Sequence, residues 1–341
     1  MRLAPLIALL SAGACAPAPQ PPALDLSACA PIRDGAGAAI MGGEDAAVSP
    51  LGLLVSFDDR RGEGRGSIRV LGGDDSVSAD LTQGMPAAFH PHGIGVHVDD
   101  EGAATLMVIN HGQGWEGPAS SVEIYALEEG VLLHVETIVL DGMARLNDVT
   151  PVSPQSFYAT NESEADRHSW RNATDFMLRR GSGALAFHDG QSTRIIANDL
   201  AFANSVERLG ASTLAVSDSI RGEVRIFEGD VDIGGVELAE VIDVGAGPDN
   251  LTADGEGGLL VARHDNLQHF AQFARGARAT SRWSIAAISP AAGEPLRVLG
   301  GEDGRVVSAI AVAATTPSGD VLLGSVFDGA LLCPAQALGR S

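Results

Sequence analysis

Phe202-Ala203-Asn204, followed at a short distance by Leu214-Ala215-Val216-Ser217, holds the unit from which this chain is built. An apolar strand of three or four residues ends on a small or polar residue, a turn follows, and a second strand, Val224 to Phe227, completes a hairpin. The unit starts again at Leu53-Leu54-Val55-Ser56, Leu106-Met107-Val108-Ile109, Phe157-Tyr158-Ala159-Thr160, Leu259-Leu260-Val261-Ala262 and Leu322-Leu323-Gly324-Ser325. Its second strands recur at Ser67 to Leu71, Val122 to Leu127, Ala184 to His188, Ile285 to Ser289 and Ala330 to Cys333. Copies stand roughly 45 to 60 residues apart, the length of one four-stranded blade. The chain therefore reads as an all-β protein, a six-bladed β-propeller filling it from about Cys29 onward.

Upstream of five of these hairpins lies an island of metal-ligand residues. The islands are Gly43-Glu44-Asp45, His90-Pro91-His92-Gly93-Ile94, Leu146-Asn147-Asp148-Val149, Phe202-Ala203-Asn204 and Pro248-Asp249-Asn250-Leu251. Asn147, Asn204 and Asp249 each stand thirteen residues before Thr160, Ser217 and Ala262; Glu44 stands twelve before Ser56 and His92 seventeen before Ile109. A lone Asn-Asp or Asp-Asn dipeptide is ordinarily a turn. Five islands at one phase of a repeat are different, because equivalent positions of successive blades converge on the propeller axis. Four of the five offer carboxylate or amide oxygens, the donors a hard cation such as calcium takes in sixes to eights. No EF-hand loop is present, so distant strands must bring the ligands together. The competing account is a recurring blade-entry turn without function.

Composition agrees with this frame. Hydrophobic residues make up 45% of the 341 positions, enough for a large core, while aromatics supply only 4% of the chain and leave that core to Ala, Val, Leu and Ile. Forty-two glycines suit a fold of many tight turns. Every basic side chain is Arg, and a net charge of −22 excludes nucleic acid as a partner while favouring bound divalent cations.

Residues 1–14 read as a targeting signal: Arg2, an apolar run from Leu3 to Leu10, then Ser11-Ala12-Gly13-Ala14 before Cys15. The Ala-Gly-Ala-Cys end is similar to a bacterial lipobox, in which the cysteine is lipidated and begins the mature chain; Ala12 stands where Leu is usual, and an ordinary secretory signal is the other reading. The apolar run is too short to span a membrane. Residues 15–28 form a Pro/Ala-rich tether, and residues 29–341 the propeller. The expected location is periplasmic or lipid-anchored to a bacterial outer membrane, with membrane contact only through that anchor and the oligomeric state open. In an oxidising compartment Cys29 and Cys333 would pair and close nearly the whole chain into a ring, worth at most about 5 to 6 kcal/mol by loop entropy; two buried free thiols are the alternative.

Together with Val108-Ile109-Asn110-His111, Val244 to Asp254 and Gly324-Ser325-Val326-Phe327, the islands resemble those of the paraoxonase and arylesterase family, calcium-dependent lactonases on a six-bladed propeller related to the gluconolactonases. The resemblance runs from about Cys29 to Cys333. It implies two calcium ions. Glu44, Asn147, Asn204, Asp249 and Asn250 match the ligands of a catalytic ion; Asp45, Asp148 and the carbonyl of Ile94 match those of a structural ion. His92 and His111 match the histidine pair that activates water, His264 another histidine near the site, Phe202 a wall residue, and Cys29 and Cys333 the family's disulfide. The chain departs from the pattern at Asn161-Glu162-Ser163, and the polar stretch to Arg180 predicts a rim of different shape.

The implied chemistry is coherent. A cation polarises a lactone or ester carbonyl and stabilises the oxyanion formed on water attack. His92, with an unperturbed pKa near ~6.5, suits the role of base, and His111 would orient it or relay the proton; Glu44 or Asp249 is the rival base. The leading expectation is a calcium-dependent hydrolase of small-molecule lactones and aryl esters. A sugar lactonase of gluconolactonase type and a non-catalytic, calcium-stabilised propeller lipoprotein that binds a partner are the competing ones.

Overall fold

The computed structural model describes residues 20–339 other than 63, 73–76, 83, 84, 87, 115, 116, 118, 246, 291 and 292. The proposed signal, Cys15 and the first part of the tether lie outside the described residues. Six four-stranded antiparallel sheets account for the strands, five of them running in chain order from the axis outward. The innermost strands are Gly43–Ser49, Pro91–Val98, Leu146–Pro151, Ala203–Arg208, Gly247–Ala253 and Ile310–Thr315. The second strands contain the six apolar starts singled out in the sequence, and their sides are buried between neighbouring blades, as the clusters joining Met107, Ile109 and Val122 to Leu146, Val149 and Phe157 show.

Blade 6 is closed from both ends of the chain. Ala30–Pro31 pairs with Leu331–Cys333, and Cys29 is bonded to Cys333 across 304 residues, with the Cα atoms 4.2 Å apart. The end of the tether is not loose. Leu24 N–H donates to Gly301 O and Gly301 N–H to Pro22 O, which lays residues 22–24 along the outer strand of blade 5, and Leu26 is buried beneath it.

Every innermost strand carries one extra residue opposite its partner. The register slips between Gly43 and Asp45, Pro91 and Ile94, Leu146 and Val149, Ala203 and Val206, Pro248 and Leu251, and Ile310 and Val312. These are β-bulges, which bend a strand and re-aim its side chains. Five coincide with the five islands; the sixth, Ile310-Ala311-Val312, is apolar. In three blades the hydroxyl one residue before the end of the second strand receives the bulge amide and passes a bond to the next blade. Asp45 N–H donates to Ser56 Oγ, which donates to His92 O. Asp148 N–H donates to Thr160 Oγ1, which donates to Asn204 O. Ser205 N–H donates to Ser217 Oγ, which donates to Asp249 O. The polar residue in the repeat thus fixes both the bulge and its distance to the neighbouring bulge.

Two helices cap one end. α1, Trp170–Leu178, is N-capped by Ser169, and α2, Leu267–Ala274, by Asn266. Among the described residues no helix is long and apolar enough to cross a membrane.

Candidate active site

Because each bulge turns neighbouring residues in opposite senses, the islands divide between the two ends of the tunnel. Glu44, Asn147, Asn204 and Asp249 face a cleft of about 600 Å³ under α1 and α2. Asp45, Ile94 and Asp148 face a smaller one of about 270 Å³ at the other end. Asn250 lies between blades, its Nδ2 donating to Glu44 O at 2.8 Å. All these side chains are buried.

The three asparagines in the upper set are held the same way. Asn204 Nδ2 donates to Asp249 Oδ1 at 2.7 Å, Asn147 Nδ2 to Glu162 Oε1 at 3.2 Å, and Asn250 Nδ2 to a backbone carbonyl. An amide tied through its nitrogen has its oxygen left for another donor or for a cation. Asn204 Oδ1 and Glu44 Oε2 are buried and accept no hydrogen bond, an expensive condition unless something positive sits against them. The donor set is all oxygen. These residues fit calcium; among the described residues no three His, Cys, Asp or Glu side chains form a cage alone, so amide oxygens are needed to complete one.

Electrostatics sort the carboxylates. Burial opposes ionisation of Glu44, but Arg60, 3.2 Å from Oε1, and His92, 2.9 Å from the same atom, bring its pKa down to about 2. At the lower end the balance reverses. Burial and mutual repulsion hold Asp45 well above the usual carboxylate range, burial raises Asp148, and burial next to Asp148 pushes Glu207 up to about 8. Asp45 Oδ2 accepts Ile94 N–H, and Asp148 Oδ2 accepts Ser205 Oγ–H and Val206 N–H. Three carboxylates facing one small cleft form a second place where a cation would relieve repulsion.

His92 stands on the upper floor. A carbonyl oxygen only accepts, so Nδ1 donates to Asn147 O at 2.7 Å; Nε2 lies 2.9 Å from Glu44 Oε1, which also only accepts, and so becomes free to take a proton only where a cation draws Glu44 away. Gly93 makes this approach possible: a Cβ there would lie 2.4 Å from Asp148 Cα and 2.6 Å from Asn147 O. His111 packs edge-on against His92, ring centroids 5.2 Å apart, and burial followed by the neighbouring His92 keeps its pKa well below the ordinary histidine value. His264 is more than a wall. Its Nε2 donates to Asp249 Oδ2 at 2.7 Å while its ring stacks on Phe270 at 3.8 Å. Phe202 lines the cleft with Phe270 and Phe327, as do Arg60, Arg145 and Arg167.

Sequence reasoning missed four of these side chains. Arg60 and Glu207 lie outside the island phase and carry no local signal. Arg145, directly before an island, and Glu162, directly after a second strand, sit where a charge has no reason to be unless it serves the site. The rim predicted from Asn161 to Arg180 is α1 and the loop before it, of which Arg167, His168, Asn172 and Phe176 reach the cleft.

Known proteins supply the wider frame. Rat serum paraoxonase/arylesterase 1 is 26% identical over 258 residues, covering 72% of this chain and 69% of its own. Among solved structures, a gluconolactonase from Xanthomonas campestris superposes with a TM-score of 0.53 at 15% identity, covering 94% of this chain and 99% of its own. Regucalcin from Agrobacterium tumefaciens, a calcium-binding protein, gives 0.52 at 12% identity, with coverages of 87% and 90%. These two show the shared propeller. The arylesterase family model matches residues 75–335, most of the folded chain, and that match makes this protein a member of the arylesterase family.

Proposed function

We propose that the protein is a calcium-dependent hydrolase of lactones and aryl esters. Family membership supports ester or lactone hydrolysis in general; the finer reading rests on one observation. At the floor of a single cleft, buried oxygen donors lacking hydrogen bonds, Glu44 Oε2 and Asn204 Oδ1, stand beside a histidine whose Nδ1 is committed to a backbone carbonyl and whose Nε2 faces Glu44. Calcium held by Glu44, Asn147, Asn204, Asp249 and Asn250 would polarise the substrate carbonyl and stabilise developing negative charge.

The chain's own residues do the rest. His92 Nε2 takes the proton of the attacking water, and the bond from Nδ1 to Asn147 O strengthens as the ring becomes cationic. Glu44 favours that cation electrostatically. His264 holds Asp249 in place. Neutral His111 shields the inner side of His92 from water. The apolar wall of Phe202, Phe270 and Phe327 receives the hydrocarbon part of the substrate. In the lower cleft, Asp45, Asp148 and the Ile94 carbonyl would hold a second calcium whose role is stability. The test is a panel of aliphatic lactones, sugar lactones and aryl esters offered to the purified protein. Turnover of aliphatic lactones or aryl esters supports the reading, preference for sugar lactones favours the gluconolactonase alternative, and no turnover of any class rejects an enzymatic role.

A further inference from the structure

We infer that Glu162 is a positioning residue that sets which end of the Asn147 amide faces the tunnel axis, and so whether that side chain can serve a cation at all. The inference rests on the reading of Asn147 as an upper-site ligand.

The two oxygens of Glu162 do different work. Oε2 accepts from Arg145 Nε at 3.2 Å, Arg145 Nη2 at 2.7 Å and Arg167 Nη2 at 3.1 Å. Arg145 is itself pinned by Ala165 O and Asn172 Oδ1, both at 2.8 Å. The carboxylate is fully buried, and with this many N–H groups on one oxygen it cannot turn over. Oε1 is left facing Asn147 Nδ2 at 3.2 Å.

An amide's oxygen and nitrogen are almost the same size, so packing does not decide between its two orientations; hydrogen-bond partners do. A carboxylate oxygen only accepts. It therefore draws the nitrogen of Asn147 outward and sends Oδ1 the other way. Glutamine in place of Glu162 would reverse the logic. Its oxygen must take the side crowded with guanidinium N–H groups, so its NH₂ faces Asn147, whose own oxygen turns to meet it and whose NH₂ then points to the cation. The site would lose a ligand and gain a repulsive dipole, with scarcely a change of shape.

Calcium titration of the full chain, read by calorimetry, tests this with Glu162→Gln, Asn147→Asp and the double variant. Glu162→Gln should weaken the upper ion about 10- to 100-fold, the usual effect of removing a ligand's supporting partner. Asn147→Asp alone should also bind worse, since it sets a carboxylate against Glu162. Combined, the two should restore affinity to within a few-fold of wild type, because the introduced aspartate accepts from the NH₂ of the introduced glutamine and keeps an oxygen for calcium. Recovery in the double variant is the result a purely structural role cannot give. Wild-type affinity in Glu162→Gln, or no recovery in the double variant, overturns the inference. If wild type shows no binding that Glu44→Ala removes, the ligand reading itself fails.

Discussion

Nδ1 of His92 and the backbone carbonyl oxygen of Asn147 are 2.7 Å apart, a bond between blades 2 and 3 that joins the candidate base to the candidate ligand set. It places a hydrogen on Nδ1, while Glu44 Oε1, 2.9 Å from Nε2, holds the other side of the ring. His111, expected from the sequence to orient His92 or relay its proton, packs edge-on against it, with burial keeping the His111 pKa well below the ordinary histidine value. His92→Gln keeps much of the volume and removes the basic nitrogen. Lactonase kcat should fall about 10²–10⁴-fold, with calcium affinity nearly unchanged and the acidic limb of the pH–rate profile gone. Steady-state kinetics with matched calcium titration checks this. Near-normal turnover would transfer the role of base to Glu44 or Asp249.

Glu44 and Asp45 are neighbours at a bulge that face opposite ends of the tunnel. Glu44→Ala should abolish turnover and cost less thermal stability at saturating calcium than Asp45→Ala does. Asp45→Ala should do the reverse, lowering the melting temperature while residual folded enzyme keeps its kcat. Equal losses of both properties in the two variants would contradict the division into two sites.

Protonation at the lower cleft gives a pH dependence with a defined sign. The folded chain holds a proton on Glu207 up to about pH 8, whereas an ordinary glutamate sheds it near 4.5, and Asp45 and Asp148 are displaced in the same direction. The unfolded chain therefore binds fewer protons across that window, and chelated protein loses stability as pH rises through it. Calcium replaces the protons, so the melting-temperature gain it confers should be larger at about pH 8 than at about pH 5. Scanning calorimetry at the two pH values measures it; an equal gain at both would contradict the assignment of a cation to this cleft.

Ser217, next to last in its strand, joins two bulges, accepting Ser205 N–H and donating to Asp249 O, each at 2.8 Å. Ser217→Ala leaves a buried amide and a buried carbonyl without these partners. Urea unfolding should show a loss of about 1–3 kcal/mol. A loss under about 0.5 kcal/mol, the range of neutral surface changes, would mean the hydroxyl does not bind the blades together.

The role of such hydroxyls explains how much was legible in the chain. Ser56, Thr160 and Ser217 mark the ends of second strands, so the repeat, the blade count and the phase of the islands could be read directly. The bulges could not, because an extra residue exists only relative to a partner strand, and the slips opposite Asp218 and Arg263 leave no local mark. They nevertheless decide which of two adjacent acids faces which cleft. Glu162 stood out only as a departure from the family's pattern and Arg60 not at all, because each meets its partner, Asn147 or Glu44, only across paired strands. His264 was placed near the site, but its bond to Asp249 needed coordinates.

If the proposal holds, turnover depends on calcium held among Glu44, Asn147, Asn204, Asp249 and Asn250. The most direct measurement is calcium titration of chelator-stripped protein, followed at once by heat and by hydrolysis of the best lactone or aryl ester. The expected result is two ions per chain, no turnover in stripped protein, and activity that rises with filling of the one site Glu44→Ala removes. Full turnover in stripped protein, with no calcium bound, would contradict it.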